Sequence, residues 1–171
     1  MVILRRRSKY RKREKNISSF ESSKVIGVVF KTDTQSDFEI VKQFLHFLSD
    51  QENKVVALCY VDSKKVPDFY LLRKGFNFFS RQDLNYFFLP KAQFILDFIE
   101  KPFDMLIDLS TDNNFPLFLI SSLSKAKYKI GKLYKNVNCF DVMIDISKKN
   151  NVQSLIENIK HYIPVLCGVS Y

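Results

Sequence analysis

The chain has 171 residues, 46% of them hydrophobic and 15% aromatic, with 27 Lys and Arg against 18 Asp and Glu for a net charge of +9. That is enough apolar material for one domain of about 150 residues and a short appendage, which excludes a fully disordered chain. No run approaches the roughly 20 apolar residues that span a bilayer, and residues 2–4 are too short for the core of a secretory signal. Val at position 2 excludes N-myristoylation.

The charge is not spread evenly. Arg5, Arg6, Arg7, Lys9, Arg11, Lys12, Arg13 and Lys15 stand against one acid, Glu14, so the first fifteen residues carry a net +7 and the rest of the chain +2. Like charges this dense cannot bury themselves, so such an arm is expected to take structure only against a polyanion. Lys and Arg bind phosphates by releasing counterions, and Arg adds bidentate contacts. Tyr10, inside the run, is placed to stack on an unpaired base. The nine residues from Arg5 to Lys15 just named are the candidate RNA-binding set. A solvated tail or adsorption to an anionic membrane face are the competing uses of such a run.

Residues 16–23 form a polar linker with Ile17 and Phe20 as apolar anchors, so residues 1–23 are assigned to arm and linker, 24–163 to a domain and 164–171 to a tail. Residues 25–30 are a continuous apolar, β-branched run, the pattern of a strand buried on both faces. Ser36 with Glu39 reads as a capping box, and Phe38, Val41, Phe44, Leu45 and Leu48 recur at helical spacing. A second buried strand follows at 54–61, then a short helix over 67–75 closed by Gly75, a strand at 76–79, and a turn capped by Ser80 and Asp83. Pro90 is expected to start a helix that ends before Pro102. Strands are expected at 104–109, 128–131 and 140–146, helices from 116 to about 125 and from 152 to 162, the last stopped by Pro164.

Strands alternating with helices predict an α/β fold: a single Rossmann-like three-layer α/β/α domain with a mostly parallel sheet, preceded by the basic arm. In such sheets ligands bind beyond the carboxyl ends of the strands. There the sequence places Thr32, Asp33, Asp37, Asp62, Lys64, Ser110, Thr111, Asp112 and Asn113. A cluster of Asp33, Asp62, Asp108 and Asp112 would make a small enzyme or ligand-binding domain, although the same residue types cap helices and make turns in every α/β domain.

Other chemistry is poorly served. The four glycines, Gly27, Gly75, Gly131 and Gly168, form neither GxGxxG nor a P-loop, so no nucleotide cofactor is expected. His46 and His161 lack a nucleophile motif, which leaves no catalytic residues to name. Cys59, Cys139 and Cys167 are widely spaced without a C-x-x-C pair, so no metal is expected and reduced thiols fit the cytoplasm. Lys64-Lys65, Arg73-Lys74, Lys125, Lys127, Lys129, Lys132, Lys135 and Lys148-Lys149 are further surface cations available to flank the arm.

Residues 103–110 and 119–131 are similar to part of the N-terminal domain of heptosyltransferase-type glycosyltransferases, where a D-x-x-I-D-L strand precedes a helix ending near S-x-A-x-x-x-x-G. That similarity supports the fold; those enzymes need a second domain, for which this chain has no residues. A wider resemblance rests on Tyr60-Val61-Asp62-Ser63-Lys64-Lys65-Val66-Pro67-Asp68, residues 75–85, Ile107 to Ser110, Phe115 to Leu117 and Ile159 to Tyr162. Through these the chain resembles a family of small Rossmann-like proteins of unknown function from Bacteroidota. The resemblance implies a lineage-restricted component of the large ribosomal subunit, with ribosomal RNA and neighbouring ribosomal proteins as partners and no enzymatic activity.

Overall fold

The computed structural model describes residues 19–32, 34–73, 75–134 and 139–166, and of Leu71 the backbone alone. The candidate RNA-binding arm, Ile17, Asp33, Lys74, Lys135, Cys167 and Gly168 lie outside the described residues. In chain order the elements are β1 (Val25–Lys31), α1 (Gln35–Ser49), β2 (Lys54–Tyr60), α2 (Asp68–Leu71), β3 (Phe76–Phe79), a 3-10 turn (Arg81–Asp83), α3 (Gln93–Glu100), β4 (Met105–Asp108), α4 (Phe115–Leu123), β5 (Tyr128–Lys132), β6 (Val142–Ile144) and α5 (Val152–Leu166).

The six strands form one sheet in the order β3-β2-β1-β4-β5-β6, and every pairing is parallel. The expected single Rossmann-like α/β domain is therefore present, with a wholly parallel sheet. Period-two alternation divides each apolar strand between two cores. Ile26, Val28 and Phe30 of β1, with Met105 and Ile107 of β4, pack among the apolar faces of α1 and α5. Val29 and Leu106 point the other way, into a second core with Ile95, Phe98 and Ile99 of α3 and Leu117, Leu119 and Ile120 of α4. Burying each such side chain contributes roughly 1.5–3 kcal/mol.

Phenylalanine does much of the filling on the α1 side. The Phe38 ring lies 5.0 Å from Phe76 and 6.2 Å from both Tyr70 and Phe78, with the Arg73 guanidinium 4.1 Å from its centroid. Arg73 also donates to Gln35 Oε1 at 2.9 Å, which ties the segment after α2 to the first turn of α1. Phe20, placed in a polar linker by sequence, is 2% exposed and meets Phe47 edge-on at 5.9 Å. That linker is thus anchored in the core.

Helix ends depart from the sequence reading in three places. The N-cap of α1 is Thr34, whose Oγ1 accepts from the Asp37 amide at 3.1 Å; Ser36 and Glu39 are already helical, so they do not form the expected box. Pro90 does not start a helix: it pairs with Leu84 in an antiparallel bridge, and α3 begins three residues later. Pro164 does not stop α5, which runs on to Leu166. Proline's fixed φ suits a helix, and the lost amide bond is offset by burial of its ring. The turn after β3 is capped as expected, the Ser80 amide donating to Asp83 Oδ2 at 2.9 Å.

Candidate functional site

Strand order reverses between β1 and β4, because β1 pairs with β2 on one side and β4 on the other. The connections leaving these two strands diverge to opposite faces and open a crevice at their carboxyl ends, where open α/β sheets bind ligands. A cavity of about 160 Å³ lies there, lined by Lys31, Asp37, Ser110, Thr111, Asp112, Asn150 and Asn151 among others. Lys31, the last residue of β1, reaches across to Asp112 in the β4–α4 loop, Nζ to Oδ2 3.0 Å.

The crevice walls are braced from β5 and from the residues before α5. Lys132 Nζ donates to the Thr111 carbonyl at 2.6 Å and to Asn150 Oδ1 at 2.8 Å. The Tyr134 hydroxyl faces the Ser110 and Asp112 carbonyls at 3.4 and 3.1 Å. Burial, with the charges of Asp108 and Asp112 nearby, pushes the Tyr134 phenol well up, so it stays a donor. Asn151 accepts from the Ser154 amide at 2.8 Å and starts α5.

Beneath the crevice Asp108 is 2% exposed. It accepts from the Ser121 hydroxyl at 2.6 Å and from the Ser110 amide at 2.9 Å. Burial pushes its carboxyl up against these hydrogen bonds, which pull it down. The buried Ser110 hydroxyl lies beside the Asp108 carboxylate and helps to pull it down.

Of the strand-end cluster, Asp33 lies outside the described residues, and the other three do not come together. Asp112 is in the crevice and Asp108 below it, but Asp62 lies at the end of β2, held by Arg81 at 2.8 Å and by the Tyr60 hydroxyl at 3.2 Å. Asp37 caps its own helix turn, accepting from the Thr34 hydroxyl at 2.8 Å. Thr32 is buried and bonds locally, its hydroxyl donating to the Thr34 carbonyl. Asn113 is exposed, and Lys64 lies on a different rim, beside the 3-10 turn. Among the described residues no three His, Cys, Asp or Glu side chains come together to hold a metal. The arrangement offers hydroxyls, amides and a neutralised ion pair, which suits binding of a small polar molecule better than proton transfer.

Sequence reasoning missed Lys31, Lys132, Tyr134, Asn150 and Asn151. The one available signal was Asn150-Asn151 directly before an apolar periodic run, a helix-start pattern. It also misplaced one cation. Lys129, taken for a surface residue, is 2% exposed, with Nζ on the Ser121 and Ser122 carbonyls at 2.8 and 3.2 Å. These are last-turn carbonyls of α4, so the buried ammonium caps a helix C-terminus.

Residues 2–166 match the model of a family of unknown function, DUF6913. The chain belongs to that family. No curated protein and no solved structure gives a significant match. The DUF6913 match runs through the whole domain and takes in the basic arm, so arm and domain are one unit of the family pattern. Among the described residues no helix is long and apolar enough to cross a membrane. His46 and His161 are both exposed, Cys59 is buried and Cys139 half-buried.

Proposed function

We propose that this protein is a non-enzymatic RNA-binding protein, a component of the large ribosomal subunit, held to ribosomal RNA through its basic N-terminal arm. The observation that carries this reading is the division of charge: +7 of the net +9 sits in the first fifteen residues. Several of the body's cations are paired within the domain. Lys31 pairs with Asp112, Arg73 with Glu39, Arg81 with Asp62, Lys125 with Glu100 and Lys127 with Asp104. Arg5, Arg6, Arg7, Lys9, Arg11, Lys12, Arg13 and Lys15 then supply the phosphate contacts, Tyr10 stacks on a base, and the domain packs against RNA or neighbouring ribosomal proteins. The resemblance over residues 60–85 points the same way, to a ribosomal protein working in the cytoplasm.

The direct test is RNA affinity of the full chain and of a chain lacking residues 2–15, measured against salt. The arm reading expects the deletion to remove most of the affinity at low salt; unchanged affinity refutes it.

A second reading is favoured by the crevice between β1 and β4. Its mixed donors and acceptors, with Lys31 and Asp112 neutralising each other, fit a small uncharged polyhydroxyl molecule. A thermal shift with a sugar panel, abolished by Asp112→Ala, supports that reading; no shift with any member removes it.

A further inference from the structure

The loop after the 3-10 turn carries three consecutive aromatics on its outside. Tyr86 is 92% exposed, Phe87 70% and Phe88 48%. Free energy of burial favours hiding such rings, so a run of three facing water marks an interaction surface.

The loop is built to hold them out. Leu84 and Pro90 pair across its base, the Asn85 amide donates to the Leu89 carbonyl at 2.9 Å, and the Phe88 amide donates back to the Asn85 carbonyl at 2.9 Å. The Asn85 side chain closes the turn from inside, its Oδ1 accepting from the Phe87 and Leu89 amides at 2.9 and 3.0 Å. Phe88 sits at φ 57, a left-handed conformation that is costly for a bulky side chain and persists where surrounding structure enforces it. The Tyr86 and Phe87 rings lie 5.5 Å apart at 86°, so each leaves faces free.

Exposed lysines flank the loop on both sides in sequence. Lys91 directly follows Pro90, is exposed, and is tied by its amide to the Asp83 carbonyl. Lys64 and Lys65 are exposed, and the Lys64 carbonyl accepts from the Gln82 amide. Asp62 is paired with Arg81, while Asp83, hydrogen-bonded to the Ser80 amide, keeps its charge at the base of the loop. Exposed rings flanked by lysines suit single-stranded nucleic acid, rings for base faces and ammonium groups for phosphates.

We infer that residues 84–90 form a stacking platform for unpaired RNA bases, with Lys64, Lys65 and Lys91 gripping the flanking phosphates. The inference takes its partner class from the RNA-binding reading above but assigns a second site, on the folded domain and independent of the arm. A membrane surface, where tyrosine also sits at headgroup level, is the alternative that the vesicle arm of the test below separates.

The test uses the full chain and fluorescence anisotropy with a labelled twelve-nucleotide uridine strand and a twelve-base-pair RNA duplex. Tyr86→Ala combined with Phe87→Ala is expected to weaken single-strand binding about tenfold or more, from stacking of about 1–3 kcal/mol per base, and to leave duplex binding unchanged. Tyr86→Phe keeps the ring and is expected to keep the affinity. Tyr86 and Phe87 are 92% and 70% exposed, so melting temperature should hold; if the double variant unfolds, Tyr86→Ala alone carries the test. Single-strand binding indifferent to these changes, or equal losses on strand and duplex, overturns the platform while leaving the arm reading intact. Binding of neither RNA refutes the RNA reading and the platform with it. Loss of anionic phosphatidylglycerol vesicle binding in the variant, with RNA binding unaltered, assigns the loop to membranes and overturns the inference.

Discussion

Asp108 and Ser121 are hydrogen-bonded at 2.6 Å with both side chains buried, a link from the end of β4 to the last turn of α4. A strand-end aspartate that sequence places at the mouth of a ligand cleft is turned inward and fixes a helix to the sheet. The consequence is measurable. Burial raises the Asp108 carboxyl in the folded state, so the folded protein binds this proton more tightly than the unfolded chain. Stability is therefore lost as pH rises from the unfolded value to the raised folded value, and the loss is constant above it. Asp108→Asn, which cannot ionise, is expected to gain stability relative to wild type between pH 4 and pH 7. Urea unfolding of both proteins at the two pH values checks this; a gap that does not move with pH contradicts it.

Gly131 is required by the Phe140 ring. A Cβ at position 131 would lie 2.6 Å from Phe140 Cζ, closer than real carbon contacts allow. Gly131→Ala should cost about 1–3 kcal/mol by overpacking. Phe140→Leu in that background should return part of the loss, and a double-mutant cycle reads the coupling directly. Additive costs would show that the ring moves aside freely.

Lys129→Met keeps the stem and deletes the ammonium from the Ser121 and Ser122 carbonyls. Leaving buried acceptors unpaired should cost about 1–3 kcal/mol. Because the lysine is buried, RNA affinity of the folded variant should equal wild type. A selective loss of RNA binding without destabilisation would place Lys129 on the interface instead.

Sequence carried most of the fold but less of the crevice. The runs 25–30, 54–61 and 104–109 are apolar on both faces because both faces are covered, so they announce a parallel sheet. The α1 face was equally plain: Phe38, Val41, Phe44, Leu45 and Leu48 are all buried. The α1 cap was ambiguous because Thr34 with Asp37 and Ser36 with Glu39 both have cap spacing, and only the backbone decides between them. Pro90 fits a helix start and an extended bridge equally, since its φ serves both. Crevice lysines were illegible for another reason. Lys31 and Lys132 end strands, where a cation reads as a solvated edge, and their partners Asp112 and Asn150 come from distant segments. Lys129 failed likewise, because its acceptors belong to the preceding helix.

The arm makes a quantitative claim. Contacts with five to eight phosphates give a log-log salt slope of about −3.5 to −6 at roughly −0.7 per contact for single strands. Deleting residues 2–15 should flatten that slope by about this amount. A slope that survives the deletion would locate the phosphate contacts on the domain.

Sedimentation of native lysate through a sucrose gradient, with this protein followed at low and high salt, tests the central claim most directly. The account predicts stoichiometric co-migration with the large subunit and with whole ribosomes, lost at high salt and lost on deletion of residues 2–15. Migration only at the top of the gradient at low salt would contradict it and leave the crevice between β1 and β4 as the place where this domain works.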